Sequence, residues 1–459
     1  MKRIFLFHIA CYLSLVTSLA QPVKPCGTSV LTRHRVATVQ EARSLLPAAT
    51  WGSQDGNSYK GEKKGLIILV EFPNQHFKDD SPRQIWTAIA NEEGYSKHSA
   101  RGSVSDYFHD QSYGQFHLSF DVVGPVEAAH DYAYYGDNID FGGLWFDQNV
   151  GELMEEACRG VSDSVQFANY DWDGDGEVEQ VFMVYAGHGE NDYWSKDSTV
   201  IWPHMGMLVE DWGYENGLVL QGVRINTYAC SSELNYQNSL TGIGTFCHEF
   251  SHCLGLPDLY NTKEGNSVLG ISDLMDQGCY NGNSWCPVGY SSYERYACGW
   301  LTPVETDDPM SLRASVVATD GEDSSDSEIG QAPILPLQES PDARIYHLSP
   351  DANDYYLIEH REKVGWDKHF PRKGLIVWHI DYDKQAWYEN TVNNDPDHLR
   401  VERMSLFDIP SGIADITVPD KTVVAVHDLQ GRRLPTTSLP VGRLYIVQYS
   451  DGSVRKVFK

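Results

Sequence analysis

The five residues from His248 to His252 read HEFSH and carry the most specific chemical signal in the sequence. Residues four apart on a helix lie one above the other on a single face, so both imidazoles can bind one metal ion. Zinc with three protein ligands keeps a fourth position for water and lowers the pKa of that water to about 7. Glu249 stands between the histidines, where a carboxylate can take the proton from this water. The pattern predicts a zinc site with Glu249 as general base.

The residues that follow extend the motif to HExxHxxGxxD. Gly255 can end the helix with a positive φ and turn the chain back, which brings Asp258 within reach as the third ligand. A zinc helix that ends at glycine resembles the metzincin type of peptidase, and this resemblance implies a tight turn carrying a methionine beneath the metal. Met275, in the sequence SDLMDQG at 272–278, is the candidate for this Met-turn. An ordinary buried methionine is the alternative.

A second acidic cluster, DWDGDGEVE at residues 171–179, places carboxylates at alternate positions with a glycine at the sixth. Ca²⁺ prefers six to eight oxygen ligands, which EF-hand loops supply in this register. Phe182 occupies the twelfth position, where an EF-hand has glutamate, so we predict a structural calcium loop closed by Glu179 instead. Glu177 is expected to contribute its backbone carbonyl, and an exposed acidic turn is the alternative. The candidate ligands are Asp171, Asp173, Asp175, Glu177 and Glu179.

Apolar runs mark the elements that must position these residues. Residues 64–72 and 180–186 are predicted as buried strands, and residues 243–254 as the helix that carries the zinc motif. Beyond residue 305 the sequence changes to strands with little helix between them. We therefore predict an α+β fold, in which a metzincin-like catalytic domain is followed by a smaller β-rich domain and a short β tail. The boundaries are 61–305 for the catalytic domain, 306–410 for the β-rich domain and 421–459 for the C-terminal module.

The N-terminus has the pattern of a secretory signal. Lys2 and Arg3 precede an apolar stretch, and small residues stand before Gln21. The apolar stretch is shorter than the roughly 20 residues that span a bilayer, so we expect a cleaved signal peptide at 1–20, no transmembrane anchor, and a secreted or cell-surface protein. Residues 21–60 are expected to form a propeptide or N-terminal arm. Cys26 lies within it as a candidate latency switch, whose thiolate would bind the zinc of a zymogen, with disulfide pairing as the alternative.

The order of these motifs resembles the M6 family of secreted metallopeptidases, the immune inhibitor A type, from about Gly65 to about Arg403. The matching stretches are 64–72, 104–108, 112–116, 122–125, 248–258, 273–275, 299–301, 355–359 and 374–379. The resemblance implies a zinc endopeptidase that cleaves proteins or peptides, with His248, His252 and Asp258 as ligands and Glu249 as general base. Similar calcium loops occur in M6-like sequences. Residues 421–459 resemble a type IX secretion sorting domain, which implies contact with secretion machinery, and a closing hairpin is the alternative.

The net charge of the chain limits the kinds of partner that it is expected to bind. With 35 Lys and Arg against 64 Asp and Glu, the formal net charge is −29, which argues against binding to nucleic acid. The competing hypothesis is a calcium-stabilised surface adhesin with a relic zinc site. His188 and His204 could polarise a substrate carbonyl or bind a second ion, and Tyr280 and Tyr290 could stabilise an oxyanion. A structural role is the alternative for each of these four residues.

Overall fold

The computed structural model of the 459-residue chain describes residues 59–141, 144–191, 198–306, 309, 334–347 and 353–404, and four C-terminal segments, 423–427, 432–434, 444–449 and 454–458. The expected signal peptide at 1–20, Cys26 and nearly all of the arm at 21–60 lie outside the described residues. Within the described part of the chain, no helix is both long and apolar enough to cross a membrane.

Strands and short helices alternate along the chain. The strands are β1 Gly61–Glu71, β2 Phe116–Glu127, β3 Asn138–Phe141, β4 Leu144–Asp147, β5 Glu177–Val178, β6 Val181–His188, β7 Met205–Met207, β8 Leu218–Leu220, β9 Val223–Ile225, β10 Thr227–Leu234, β11 Val304–Glu305, β12 Ala343–Tyr346, β13 Asp354–Arg361, β14 Gly374–Asp381, β15 Val401–Met404, β16 Val423–His427, β17 Arg433–Leu434, β18 Leu444–Tyr449 and β19 Val454–Phe458. The α-helices are α1 Pro82–Asn91, α2 Val104–Gln111, α3 Tyr132–Gly136, α4 Val150–Val161, α5 Leu208–Trp212, α6 Gly244–Cys253, α7 Ser292–Ala297 and α8 Lys384–Tyr388.

The main sheet has the strand order β2-β1-β6-β10-β7. Strands β2, β1, β6 and β10 pair in parallel, and β7 pairs antiparallel to β10. Residues 65–70 of β1 are buried on both faces of the sheet, which explains their continuous apolar sequence. The predicted strands at 64–72 and 180–186 are confirmed as β1 and β6, and the predicted helix at 243–254 is confirmed as α6, with shifts of one to three residues at their ends.

Two apolar cores cover the two faces of this sheet. Ile67 and Leu69 of β1 pack into the core that contains α1, α2 and α6, whereas Leu66 and Ile68 pack into the core beneath α4. Alternate residues of a strand point to opposite faces, so a single strand contributes to both cores. The region predicted as the catalytic domain is therefore mixed α and β, with a largely parallel sheet between helices. It is more interleaved than the α+β class predicted from the sequence.

A second sheet has the order β11-β12-β13-β14-β15, and all of its strands except β11 lie within the region predicted as a β-rich domain at 306–410. Its inner residues, among them Tyr355, Leu357 and Trp378, belong to the same core as α6 of the main region. The two sheets on either side of the expected boundary therefore share one core, and β11 joins the second sheet from just before it. The C-terminal segments form a further antiparallel sheet in the order β17-β16-β18-β19, within the predicted module at 421–459.

Candidate metal centre

Helix α6 has an aromatic face that packs on the main sheet. Phe246 stacks on Phe182 of β6 with 3.6 Å between the ring centroids, and the Phe250 ring lies 4.9 Å from that of Phe108. Two residues along a helix correspond to a rotation of about 200°. Packing that directs residues 246 and 250 toward the sheet therefore directs His248 and His252 away from it. The apolar core fixes the side of the helix on which the imidazoles stand.

The helix ends as the sequence predicts. Gly255 has a φ of 91°, a left-handed value that glycine adopts without steric cost. The backbone nitrogens of Gly255 and Leu256 donate to the carbonyls of His252 and Ser251, at 2.9 and 3.1 Å. These hydrogen bonds satisfy carbonyls at the helix end and reverse the chain. Asp258 is thereby carried back toward the histidines.

Three ligand atoms converge where the chain returns. Asp258 Oδ1 lies 3.1 Å from His248 Nε2 and 3.3 Å from His252 Nε2, and the two nitrogens are 3.2 Å apart. A tetrahedral zinc ion with bonds of about 2.0 Å requires ligand atoms about 3.3 Å apart. The triangle of donor atoms therefore has the dimensions of one face of a zinc tetrahedron.

The opposite nitrogen of each imidazole is held by a backbone carbonyl. His248 Nδ1 lies 2.8 Å from the Leu274 oxygen, and His252 Nδ1 lies 2.7 Å from the Leu256 oxygen. A carbonyl oxygen only accepts hydrogen bonds, so each Nδ1 carries a hydrogen and Nε2 is the ring nitrogen that can bind a metal. Carbonyl partners of this kind orient metal-binding histidines. The residues present therefore fit a metal ion.

Glu249 completes the group of side chains on this face. It is fully buried, and one carboxylate oxygen lies within 4.8 Å of ring nitrogens of both His248 and His252. The helix thus places a carboxylate beside the three converging donors without making it part of the triangle. This is the arrangement expected of a base that acts on a ligand of the metal.

Asp258 is held from its other side by a residue that the sequence did not reveal. Burial opposes ionisation of its carboxyl, but the interactions with His252 and His248 outweigh burial and lower the pKa of Asp258 below its ordinary value. The amide of Asn390 donates to Asp258 Oδ2 at 2.6 Å and accepts from the Asp258 nitrogen at 2.7 Å. These residues are 132 positions apart. No local spacing could have connected them.

Met275 lies in a turn directly against the zinc-motif helix. Asp273 Oδ1 accepts from the Met275 nitrogen at 2.9 Å, and the Asp273 carbonyl accepts from Gly278 at 2.8 Å. The intervening Leu274 supplies the carbonyl that holds His248. Met275 is fully buried. Met275 therefore lies in a buried turn that contacts the helix of the zinc motif through Leu274, and its role as a Met-turn stays a prediction.

A family model of the immune inhibitor A peptidase M6 catalytic domain matches residues 53–296, which is more than half of the chain and includes every side chain of the triangle. The chain belongs to this family. It is also similar to the pre-pro-metalloprotease PrtV of Vibrio cholerae serotype O1, at 23% identity over 272 residues, covering 51% of this chain and 29% of PrtV. Immune inhibitor A of Bacillus thuringiensis subsp. alesti is 23% identical over 300 residues, covering 54% of this chain and 43% of that protein. The chain thus matches less than half the length of these relatives.

In this M6 peptidase chain, the predicted calcium loop forms a compact turn with three of its five acids together. One oxygen each from Asp171, Asp173 and Glu179 lie within 4.8 Å of one another, a group that includes neither Asp175 nor Glu177. The Glu177 carboxylate is instead 3.0 Å from Arg224 Nη1, and the expected contribution of its backbone carbonyl stays a prediction. Burial, followed by the charges of Asp173 and Asp171, raises the pKa of Glu179 to about 8 despite a hydrogen bond from the Trp172 nitrogen.

Trp172 anchors the predicted calcium loop close to α6, the helix that carries the zinc motif. Its indole nitrogen donates to the Lys64 carbonyl of β1 at 2.7 Å. Its ring lies 5.7 Å from that of Phe116 and 6.4 Å from that of Phe250 on α6. The candidate calcium loop is therefore packed against the same core that orients the histidines.

The other residues weighed from the sequence lie in structural settings. His204 is buried, with Nδ1 2.6 Å from the Trp202 carbonyl and Nε2 2.9 Å from the Tyr228 hydroxyl, and burial lowers the pKa of His204 to about 4. Tyr290 is fully buried and hydrogen-bonds Ser251 on α6. Packing explains both residues without a catalytic role.

His188 ends β6, and Tyr280 is half-buried in the turn Gln277–Tyr280 that follows Met275, so the second-ion and oxyanion hypotheses for them stay untested. Cys247 and Cys253, beside the zinc motif, form no disulfide within the described part of the chain.

Proposed function

We propose that this protein is a secreted zinc endopeptidase that hydrolyses peptide bonds of protein substrates with an activated water. The observation that carries the proposal is the triangle of His248 Nε2, His252 Nε2 and Asp258 Oδ1, whose edges are 3.1 to 3.3 Å. Two imidazole nitrogens and a carboxylate oxygen that converge in this way form a donor set that one cation can bridge. Membership of the M6 peptidase family supports a metallopeptidase as the kind of enzyme.

Zinc is the metal that best suits this donor set. Two imidazole nitrogens and one carboxylate oxygen are typical ligands of catalytic zinc, and three protein ligands keep one coordination position open. A zinc ion held there would act as a Lewis acid that polarises the scissile carbonyl and lowers the pKa of water to about 7.

Glu249 provides the proton transfer that peptide hydrolysis needs. Its carboxylate accepts the proton of the attacking water and then donates it to the leaving amine nitrogen, which could not depart as an anion. Burial beside His248 and His252 keeps the carboxylate within reach of this water. Because helix packing fixes the histidines and Glu249 together, the base and the metal ligands hold a constant geometry.

The main sheet offers a way to bind an extended peptide. Strand β7 is the terminal strand of the sheet and packs beside α6. Backbone groups on the outer side of an edge strand can pair with a peptide that adds as a further strand. Such pairing depends on the substrate backbone and not on particular side chains, so we propose proteins or peptides as substrates.

Calcium is proposed as a structural ion of the loop at 171–179. Three carboxylates gathered within 4.8 Å repel one another, and Ca²⁺ is a hard cation that prefers such oxygens. Asp171, Asp173 and Glu179 would supply side-chain ligands. We propose that the other predicted ligands, Asp175 and Glu177, contribute through their backbone or by rearranging when the ion binds.

Secretion, latency and sorting are proposed from sequence features outside the site. The signal-like residues 1–20 support export, which N-terminal sequencing of the exported protein would test by finding Gln21 or a later residue first. Cys26 is proposed as a latency switch, and Cys26→Ala should give a precursor that is active without processing. Residues 421–459 are proposed as a sorting module for the secretion machinery, and their deletion should leave the protein inside the cell.

The adhesin alternative is less well supported by the geometry. A relic site has no reason to retain Nδ1–H donors bonded to two separate carbonyls while both Nε2 atoms stand beside a buried aspartate. Burial of such a set is costly unless its charges are balanced, and a bound cation would balance them. We therefore propose catalysis rather than adhesion.

The deciding experiment measures cleavage of casein and of a peptide library by the wild-type protein and by Glu249→Gln, with and without a zinc chelator. Loss of the base should lower kcat by about 10²- to 10⁴-fold while the bound zinc remains, because general acid–base catalysis supplies that factor. Glu264→Gln, which changes an exposed glutamate six residues beyond Asp258, is the matched control and should retain full activity. Equal activity in the wild type and Glu249→Gln would refute the mechanism.

A further inference from the structure

Asn390 lies outside the region that defines the family and yet contacts the metal centre. It follows α8 in the connection between β14 and β15, beyond the matched residues 53–296. Its amide nitrogen donates to Asp258 Oδ2 at 2.6 Å, and its amide oxygen accepts from the Asp258 nitrogen at 2.7 Å. One side chain thus holds both the carboxylate and the backbone of the same residue.

This pair of hydrogen bonds determines which carboxylate oxygen faces the histidines. Oδ2 is engaged by the amide, while Oδ1 is the atom 3.1 and 3.3 Å from the two imidazoles. A carboxylate that is free to rotate could exchange its two oxygens or bind a metal through both of them. The amide of Asn390 removes this freedom, since rotation would break a short hydrogen bond to a charged acceptor.

The backbone at Asn390 is itself held in an uncommon conformation. Its φ is 54°, in the left-handed region that asparagine tolerates better than other residues with a Cβ atom. Thr262 Oγ1 donates to the Asn390 carbonyl at 2.7 Å, and the Thr391 nitrogen donates to Ala386 at 2.8 Å. These contacts fix the amide against the 258–262 segment on one side and against α8 on the other.

We propose that Asn390 is a positioning residue for the third metal ligand, and that it sets the metal affinity of the site by holding Asp258 with Oδ1 directed at the imidazoles. The inference rests on the proposed function, because it assumes that the triangle binds a metal. Outer partners of metal ligands change metal affinity by about 10- to 100-fold when they are removed. The second sheet region thereby contributes directly to the metal centre.

The test compares zinc affinity in full-length wild type, Asn390→Gly and Asn390→Asp, measured by competition with a chromophoric chelator. Asn390→Gly is the more informative variant. Glycine adopts a φ of 54° without strain, so the substitution removes the side-chain amide without changing the backbone. We expect Asn390→Gly to bind zinc about 10- to 100-fold more weakly. Asn390→Asp should be weaker still at neutral pH, because it keeps the shape but places a second anion against Asp258.

Replacing zinc with Co²⁺ gives a second measurement that does not depend on enzymatic activity. The visible absorption of Co²⁺ reports its coordination geometry, and we expect the spectrum of Asn390→Gly to change in band position and not only in intensity. Asn394→Ala is the matched control. Asn394 lies in the same connection and contacts the same segment, since it hydrogen-bonds Thr262 Oγ1 and accepts from the Lys263 nitrogen at 3.1 Å, but it has no described contact to Asp258. It should leave both zinc affinity and the cobalt spectrum unchanged.

The outcomes separate this inference from the proposed function. Wild-type affinity and spectrum in Asn390→Gly would overturn the positioning role while leaving the zinc site intact. Equal weakening in Asn390→Gly and Asn394→Ala, together with an equal fall in the thermal midpoint of the metal-free proteins, would also overturn it, since the loop would then act only through stability. Failure of the wild type to bind zinc would refute the proposed function and this inference with it.

Discussion

Substitution of Gly244 by alanine tests how tightly the metal helix is packed against the turn that follows it. Gly244 is the first residue of α6, and alanine is favoured over glycine in a helix by about 1 kcal/mol. Helix propensity alone therefore predicts stabilisation. A Cβ atom added at this position would lie 1.7 Å from the carbonyl oxygen of Cys279. Ordinary C···O contacts are about 3.3 Å, so the Cys279 carbonyl would have to move by about 1.5 Å.

The structure indicates that this clash outweighs the propensity gain. The nitrogens of Ile243 and Gly244 both donate to the Ser284 carbonyl at 2.8 Å, and Ser284 belongs to the same turn that would have to move. Overpacking costs about 1–3 kcal/mol. Loss of these hydrogen bonds adds about 0.5–1.5 kcal/mol for each one. Subtracting the gain of about 1 kcal/mol leaves an expected loss of about 1–5 kcal/mol in the free energy of unfolding.

Urea denaturation of the metal-free protein followed by tryptophan fluorescence measures this loss directly. Gly160→Ala in α4 is the control, because the three atoms nearest to its added Cβ would all belong to the side chain of Val126, the nearest at 2.7 Å. That side chain can adjust without moving the backbone, so the control should lose much less stability. If Gly244→Ala is as stable as the wild type or more so, the packing between α6 and the 279–284 turn is not as described.

Two further predictions concern pH and calcium. Burial opposes protonation of His379, but hydrogen bonds and charge from Glu402 at 3.2 Å and Asp354 at 2.9 Å outweigh burial and raise its pKa. Its contribution to stability should be complete below the unfolded pKa of about 6.5 and be lost as pH rises through the raised folded pKa, so the excess stability of the wild type over His379→Gln in urea denaturation should shrink between pH 6 and pH 9. Added Ca²⁺ should raise the thermal midpoint of the wild type and of Asp163→Asn, an exposed control, but not that of Asp171→Asn. An equal calcium response in Asp171→Asn would refute the loop site.

The sequence predicted the part of the site that local geometry determines. His248, Glu249 and His252 lie within two turns of one helix, and Gly255 supplies the positive φ that returns Asp258. Their relative positions follow from helical spacing and one glycine, so these positions can be predicted from the sequence without knowledge of the fold. The Leu274 carbonyl and the Asn390 amide are distant from the zinc motif along the chain. Their contacts with His248 and Asp258 result from tertiary packing, which no local sequence spacing encodes.

The division of the fold was harder to predict for the same reason. Apolar runs identified β1 and β6 because strands buried on both faces have continuous apolar sequences. A change in composition after residue 305 indicated a new sheet, and a new sheet does form there. Composition does not tell whether two sheets share a core. Tyr355, Leu357 and Trp378 belong to the same core as α6, and their apolar character is equally compatible with a separate domain.

Buried charges indicate that the second sheet supports the metal centre from a second direction. Arg361 on β13 is fully buried between Glu359 and Asp367, with N–O distances of 2.6 and 2.8 Å. The same guanidinium donates to the carbonyls of Gly289 at 3.0 Å and Tyr290 at 2.7 Å, in the segment that leads from the Met275 turn into α7. Removing one partner of such a buried pair costs about 3–5 kcal/mol.

Asn390 and Arg361 therefore connect the second sheet to opposite ends of the candidate site. Asn390 holds the 258 segment, and Arg361 holds the chain just after the turn whose Leu274 carbonyl orients His248. A fragment ending at residue 296 would contain every proposed ligand but neither of these restraints. It would also expose the apolar side chains that α6 shares with the second sheet. The unit that must fold to hold the metal therefore extends from β1 to β15, well beyond the residues that define the family.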